Sequence, residues 1–149
     1  MSKIEYQNKT VFLKLNNCKP EVKKFNCKKL KMGKKDLIEK MNEAFASCDL
    51  DFLVSNVTED IKWDIVGEDK LSGLDEFREQ LEKMKENGPM DITVNDIIID
   101  DDRAVVEGIF QLKEPGKRRR FAFCDVYVFK KDKNKVRELR TYVTKMKRT

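Results

Sequence analysis

Residues 91 to 146 contain four segments in which apolar and polar residues alternate with a period of two. They are DITVNDIIID (91–100), RAVVEGIFQLK (103–113), RRRFAFCDVYVFK (118–130) and VRELRTYVTKM (136–146). The connections DDDR, EPGK and KDKNK are turn sequences, and Pro115 followed by Gly116 suits positions i+1 and i+2 of a type II turn. Strands joined by such short connections run antiparallel, so this half of the chain is a meander. The half before it has a helical period. Leu37, Met41, Ala44, Phe45 and Cys48 recur at three- and four-residue spacing, and a break at CDLD leads to a shorter apolar stretch, FLVSNV. DIKWDIVG reads as a strand. SGLDEFREQLEKMKENG then reads as a third helix, with Ser72 or Gly73 as its cap, a Phe77, Leu81, Met84 stripe and Gly88 as its stop. This order predicts an α+β fold in which a cone-shaped, curved antiparallel sheet wraps around three helices, with a small-molecule pocket at the open end.

Composition narrows the chemistry. A chain of 149 residues has the length of one domain, and 40% hydrophobic against 40% charged residues is typical of a soluble, surface-rich protein. The apolar runs are strand-sized, and MSKIEYQNK lacks the pattern of a secretory signal, so the expectation is a cytoplasmic protein that does not span a membrane. The four cysteines form no CxxC pair and there is no histidine, so neither a metal site nor a cofactor is expected. Without histidine, Ser-His and Cys-His nucleophilic mechanisms are excluded, and acid/base work falls to carboxylates, Tyr, Lys and Cys.

The charge is uneven. Residues 1–35 carry eleven Lys and two acids, against twenty-one Lys or Arg and twenty-five acids in residues 36–149. Residues 1–33 are therefore read as a basic extension and 34–149 as the folded domain. The extension has two further readings, an arm for anionic surfaces or sequence upstream of a start at Met32, and TVFLKL (10–15) is a candidate added strand. Nucleic acid is not an expected partner, because no aromatic stacking pattern accompanies these lysines or the KRRR run at 117–120.

In FAFCDVYVF (121–129) one carboxylate interrupts an apolar strand. Alternation puts Asp125 on one face with Phe121, Phe123, Tyr127 and Phe129. Counting back from the EPGK turn pairs Phe123 with Gly108 and Asp125 with Val106, which adds Phe110 to the same aromatic wall. An acid there is either neutral and facing a cavity, or ionised and paired. A tight KKDKNK loop would set Arg140 opposite Asp125 as that partner. Trp63, Met41 and Phe45 are read as core or pocket wall, Glu107 as a solvated or interface residue on the opposite face, and Cys124 as a small packed hydrophobe.

The order and spacing of several motifs resemble the nuclear transport factor two-like superfamily, within it the SnoaL-like polyketide cyclase and ketosteroid isomerase branch. The motifs are AFASCDLDFLVSNVTEDIKWDIVG, LSGLDEF and the closing FCDVYVFKKDKNKVRELRTY, and the likeness covers roughly residues 34 to 147. The resemblance implies a cystatin-like, SnoaL-like cone. It also implies a general base at Asp64 in WDIVG and a protonated, oxyanion-donating acid at Asp125. The tyrosine that completes the isomerase oxyanion hole falls on Met41. Met41, Phe45, Trp63, Phe110, Phe123, Tyr127 and Arg140 would then line the site around a small apolar molecule. The resulting expectation is a small-molecule binding protein with acid/base isomerase or cyclase chemistry on an apolar carbonyl compound. The alternative is a non-catalytic homodimeric ligand-binding or protein-interaction module. A homodimer is expected through the outer sheet face bearing Val105, Ile109, Ala122, Val126 and Val128.

Overall fold

The computed structural model describes residues 32–147. Helix α1 spans Lys34–Ser47 and α2 spans Leu50–Ser55; strands β1 (Val57–Ile65) and β2 (Lys70–Ser72) precede helix α3 (Leu74–Glu86), and β3 (Asp91–Asp100), β4 (Arg103–Glu114), β5 (Lys117–Phe129) and β6 (Val136–Lys145) complete the chain. Apart from Met32 and Gly33, the basic extension and the candidate strand at 10–15 lie outside the described residues. Among the described residues no helix is long and apolar enough to cross a membrane.

Local chemistry sets the helix ends. The Asp36 carboxylate accepts the Gly33 N–H at 3.3 Å, which satisfies one donor at the start of α1. Cys48 ends that helix in the left-handed region at φ 59°. Asp49 then caps α2 by accepting the Phe52 N–H at 3.1 Å. Of the two caps expected for α3, Gly73 holds the position, at a φ of 89° that favours glycine. The Glu76 carboxylate reaches back to the Ser72 N–H at 2.7 Å.

The six strands form one open sheet in the order β2-β1-β6-β5-β4-β3. The meander β3 to β6 is antiparallel throughout, as its short turns require. Strand β1 adds to it differently, running parallel to β6, because α3 and three strands of the meander intervene between them. Strand β2 is too short, at three residues, to leave a periodic signal in the sequence. Register shifts occur between Val57 and Lys62, between Val94 and Asp96, and between Val128 and Phe129. Such bulges bend a strand and increase its twist, which lets an α+β sheet curve around its helices.

Helices α1 and α3 cover the concave face. Leu37, Ile38, Met41 and Phe45 of α1 and Phe77 and Leu81 of α3 enter one buried cluster with Ile61, Trp63, Val106, Phe123, Tyr127, Phe129 and Leu139 of the sheet. Each large side chain buried this way contributes about 1.5–3 kcal/mol. Gly108 lies directly across from Phe123, and a methyl group on it would sit 2.8 Å from the Phe123 ring and press on the Thr93 carbonyl oxygen. Phe123 can lie flat on the sheet because position 108 has no side chain. We expect Gly108→Ala to destabilise the domain by about 1–3 kcal/mol through this overpacking, read as a lower midpoint in urea denaturation. An unchanged midpoint would mean that the aromatic wall can yield at this point.

Candidate functional site

Where the covering helices diverge from the sheet they leave a cavity of about 290 Å³. Its deep part is walled by Asn42 and Phe45 of α1, Trp63 of β1, Phe123 and Asp125 of β5, and Thr141 of β6. Toward the opening, Phe110 and Leu112 of β4, Phe121 of β5 and Val143 of β6 face Gln80 and Met84 of α3. Its aromatic side chains pack in two groups. Phe110 stacks on Phe121 with ring centres 4.9 Å apart, and Trp63 packs between Phe45 at 6.0 Å and Phe77 at 5.4 Å.

Asp125 is 8% exposed. Its partner across the β5–β6 ladder is Thr141, and Phe123 and Tyr127 flank it on the same face. The Tyr127 hydroxyl donates a long hydrogen bond to Oδ2 at 3.5 Å, while Oδ1 is buried with no partner. The Trp63 Nε1–H donates to the Thr141 hydroxyl oxygen at 2.9 Å, fixing that side chain beside the acid. Burial pushes the Asp125 carboxyl up to about 6 from its ordinary 3.8, against the smaller opposing pull of hydrogen bonds from Thr141 and Tyr127. Burial and the neighbouring acid drive the Tyr127 phenol upward as well, so it stays a neutral donor. A buried carboxyl poised near neutrality in an apolar cleft can give a proton to a ligand oxygen or, once ionised, take one.

Several residues expected at the site lie elsewhere. Arg140 is not opposite Asp125. The β5–β6 register pairs Arg140 with Val126, one residue away, and that single step turns it to the outer face. The register shift at Val128/Phe129, where the strand meets its loop, is what a count through a tight loop omits. Asp64 follows Trp63 in an extended strand; since Trp63 faces the cavity, Asp64 faces away from it, 3.8 Å from Lys70 Nζ. Met41 and Tyr127 are fully buried in the core and do not line the cavity, although Tyr127 supports Asp125 from behind. Phe45, Trp63, Phe110 and Phe123 do line it.

Asn42 and Thr141 also line the cavity, where the sequence pattern does not announce them. Asn42 is 5% exposed, and its Nδ2 donates to the Ile38 carbonyl at 2.9 Å, so its side chain is fixed at the cavity wall. Its signal was an amide one turn after Ile38, on the stripe that otherwise buries apolar residues. Cys124 lies on the outer side, and burial and the Asp125 and Glu107 charges hold its thiol above the usual range, which disfavours a reactive thiolate. Among the described residues, no three His, Cys, Asp or Glu side chains gather as metal ligands.

The SnoaL-like domain model matches residues 38–138. The chain belongs to the SnoaL-like domain family. Among curated proteins none matches it in sequence. Solved structures share the fold. A Mycobacterium tuberculosis LEH-like epoxide hydrolase is 18% identical over 72% of this chain and 80% of its own, with a TM-score of 0.64. A protein from Shewanella putrefaciens assigned as a SnoaL-like polyketide cyclase is 16% identical over 74% and 79%, with a TM-score of 0.66. The epoxide hydrolase/cyclase-like enzyme SalBIII, described in pyran ring formation in the polyether salinomycin, is 17% identical over 74% and 90%, with a TM-score of 0.65.

The raised Asp125 carboxyl has a sign that can be tested. Its folded-state affinity for a proton exceeds that of the unfolded chain, so its contribution to stability is fully present below 3.8 and is lost as pH rises through about 6. The loss amounts to about 3 kcal/mol. We expect Asp125→Asn to remove this dependence, so that wild type loses stability relative to the variant between pH 4 and pH 7 in urea denaturation. A variant that becomes the less stable protein as pH rises would show that Asp125 is an ionised structural partner.

Proposed function

We propose that this SnoaL-like protein binds a small, largely apolar molecule carrying a carbonyl, hydroxyl or strained ether oxygen, and that Asp125 acts on that oxygen as an acid/base group of an isomerase or cyclase. The observation that carries the reading is the buried, partnerless Asp125 Oδ1 on a residue that lines an aromatic cavity. A buried polar atom without a partner calls for one, and a ligand oxygen supplies it. Asn42 and Thr141 add polar groups on either side. Solved structures of the same fold include an LEH-like epoxide hydrolase and a protein assigned as a SnoaL-like polyketide cyclase, and an epoxide is a strained ether. Asp64 takes no part in this chemistry, since its carboxylate lies on the other side of the sheet from the cavity.

Trp63 is the only tryptophan in the chain and lines the cavity, so its fluorescence reports occupancy. For an apolar cyclic ketone, we expect affinity to fall about tenfold or more as pH rises from 5 to 8, as Asp125 changes from donor to acceptor. Asp125→Asn, which keeps a donor, should bind independently of pH. A pH-independent wild type would remove Asp125 from the proposed role.

A second copy of the chain is the proposed partner of the outer sheet face. That face exposes Ile98 at 58% and Tyr142 at 46% beside the half-buried Val105, Ile109, Ala122 and Val126. Val128, expected among them, is buried. The face also holds both signs of charge, with Glu107 exposed and Arg140 Nε buried without a partner. Sedimentation at micromolar concentration should show a dimer that Val105→Lys converts to monomer. Monomer alone in the wild type would refute it.

A further inference from the structure

The cavity's own sheet face does not end at its last apolar residue. On β5 the residues facing the helices are Asp125, Phe123 and Phe121, and the next on that side is Arg119, paired across the ladder with the cavity-lining Leu112. On β6 the series Thr141, Val143 continues to Lys145, which is paired with Phe121. These two cations belong to a cleft at the strand ends that also gathers Lys117, Arg118, Arg120 and Lys147. The nearby acids neutralise it only in part: Glu114 pairs with Arg119 at 3.0 Å, while among the described residues Lys145 has no carboxylate within 4.0 Å.

A hairpin charge run is ordinarily a solvated tip. Here it follows directly from the apolar wall, on the same face, with an acid at the far end. We infer that the molecule held in this cavity is an amphiphile, with an oxygen at the Asp125 end and an anionic carboxylate or phosphate head held at the opening by Lys145 and Arg119. This rests on the cavity reading above and narrows its ligand class. Four strand residues separate the level of Asp125 from that of Lys145, about 13 Å, and six separate it from Arg119, about 20 Å. A medium-length acyl chain or a fused-ring body spans that interval. The opposite orientation would bring an anion against the Asp125 carboxyl, in the least solvated part of the cavity.

The test compares ω-hydroxydodecanoate with dodecane-α,ω-diol, which share length and a terminal hydroxyl and differ in the head. Titrated against Trp63 fluorescence at pH 7 and low salt, the hydroxy acid should bind about tenfold more tightly. That preference should shrink in ~0.5 M salt. It should also vanish in the Arg119→Gln, Lys145→Gln double variant, with the diol still bound and the melting temperature confirming the fold. ω-Hydroxydodecyl phosphate then distinguishes the two head groups. Equal affinity for acid and diol in the wild type, or a preference that survives the double variant, would overturn the inference and leave the cavity reading standing. If neither compound perturbs Trp63, the cavity reading falls, and this inference with it.

Discussion

The pairing of Asp125 with Thr141 across β5 and β6 is the constraint on which the candidate site depends. It sets the parity of the central strands, and parity decides which side chains meet the helices and which meet solvent. With that register Leu139, Thr141 and Val143 look inward, and Glu138, Arg140 and Tyr142 look outward. One residue of slip would put a guanidinium opposite the acid and close the cavity's deep end with an ion pair. The Trp63 hydrogen bond to Thr141 holds the same register from β1, so three neighbouring strands agree on the surroundings of one carboxyl.

That carboxyl is costly. A domain of this size is stable by about 5–15 kcal/mol, so a group that lowers stability at neutral pH by about 3 kcal/mol takes a substantial share. Replacing it with a hydrophobe would be the stabilising choice if packing were the only demand on the position. The surrounding structure sustains the cost through the aromatic cluster of Phe45, Trp63 and Phe77 and the fully buried Tyr127, whose hydroxyl supplies one of the few hydrogen bonds the acid receives. Desolvated polar groups held against their own preference concentrate where proteins bind and react.

Most of the fold was legible because its signals are local and repeated. The four meander strands follow from alternation, and the β4–β5 register could be counted residue by residue from the EPGK turn, since a two-residue connection leaves no freedom: Gly108 does face Phe123, and Val106 does face Asp125. The β5–β6 connection is longer and meets a register shift at Phe129, so the same counting placed Arg140 one residue out. Strand β2 and the parallel pairing of β1 with β6 are long-range choices that no short window records. Asp64 is a different case. Its position was carried from a family motif, yet alternation with Trp63 was already in the sequence and forbids both residues from facing one cavity. Met41 and Asn42 repeat the lesson on a helix, where adjacent residues are about 100° apart and only one of them reaches the cavity wall.

These displacements change the chemistry available at the deep end. A pair of carboxyls divided between base and acid needs both within reach of one ligand, and the sheet lies between Asp64 and Asp125. What remains is a single acid whose proton affinity lies close to neutrality, flanked by an amide and a hydroxyl that can orient a ligand oxygen but cannot take up a proton. A reaction there must use Asp125 for both directions of transfer, giving a proton and recovering it from the same ligand, or must rely on water for one of them. Glu68, the other carboxylate lining the cavity, is exposed to solvent, unlike the buried Asp125. On the proposed reading, the ligand atoms that take and give the proton would both lie on the face turned to Asp125.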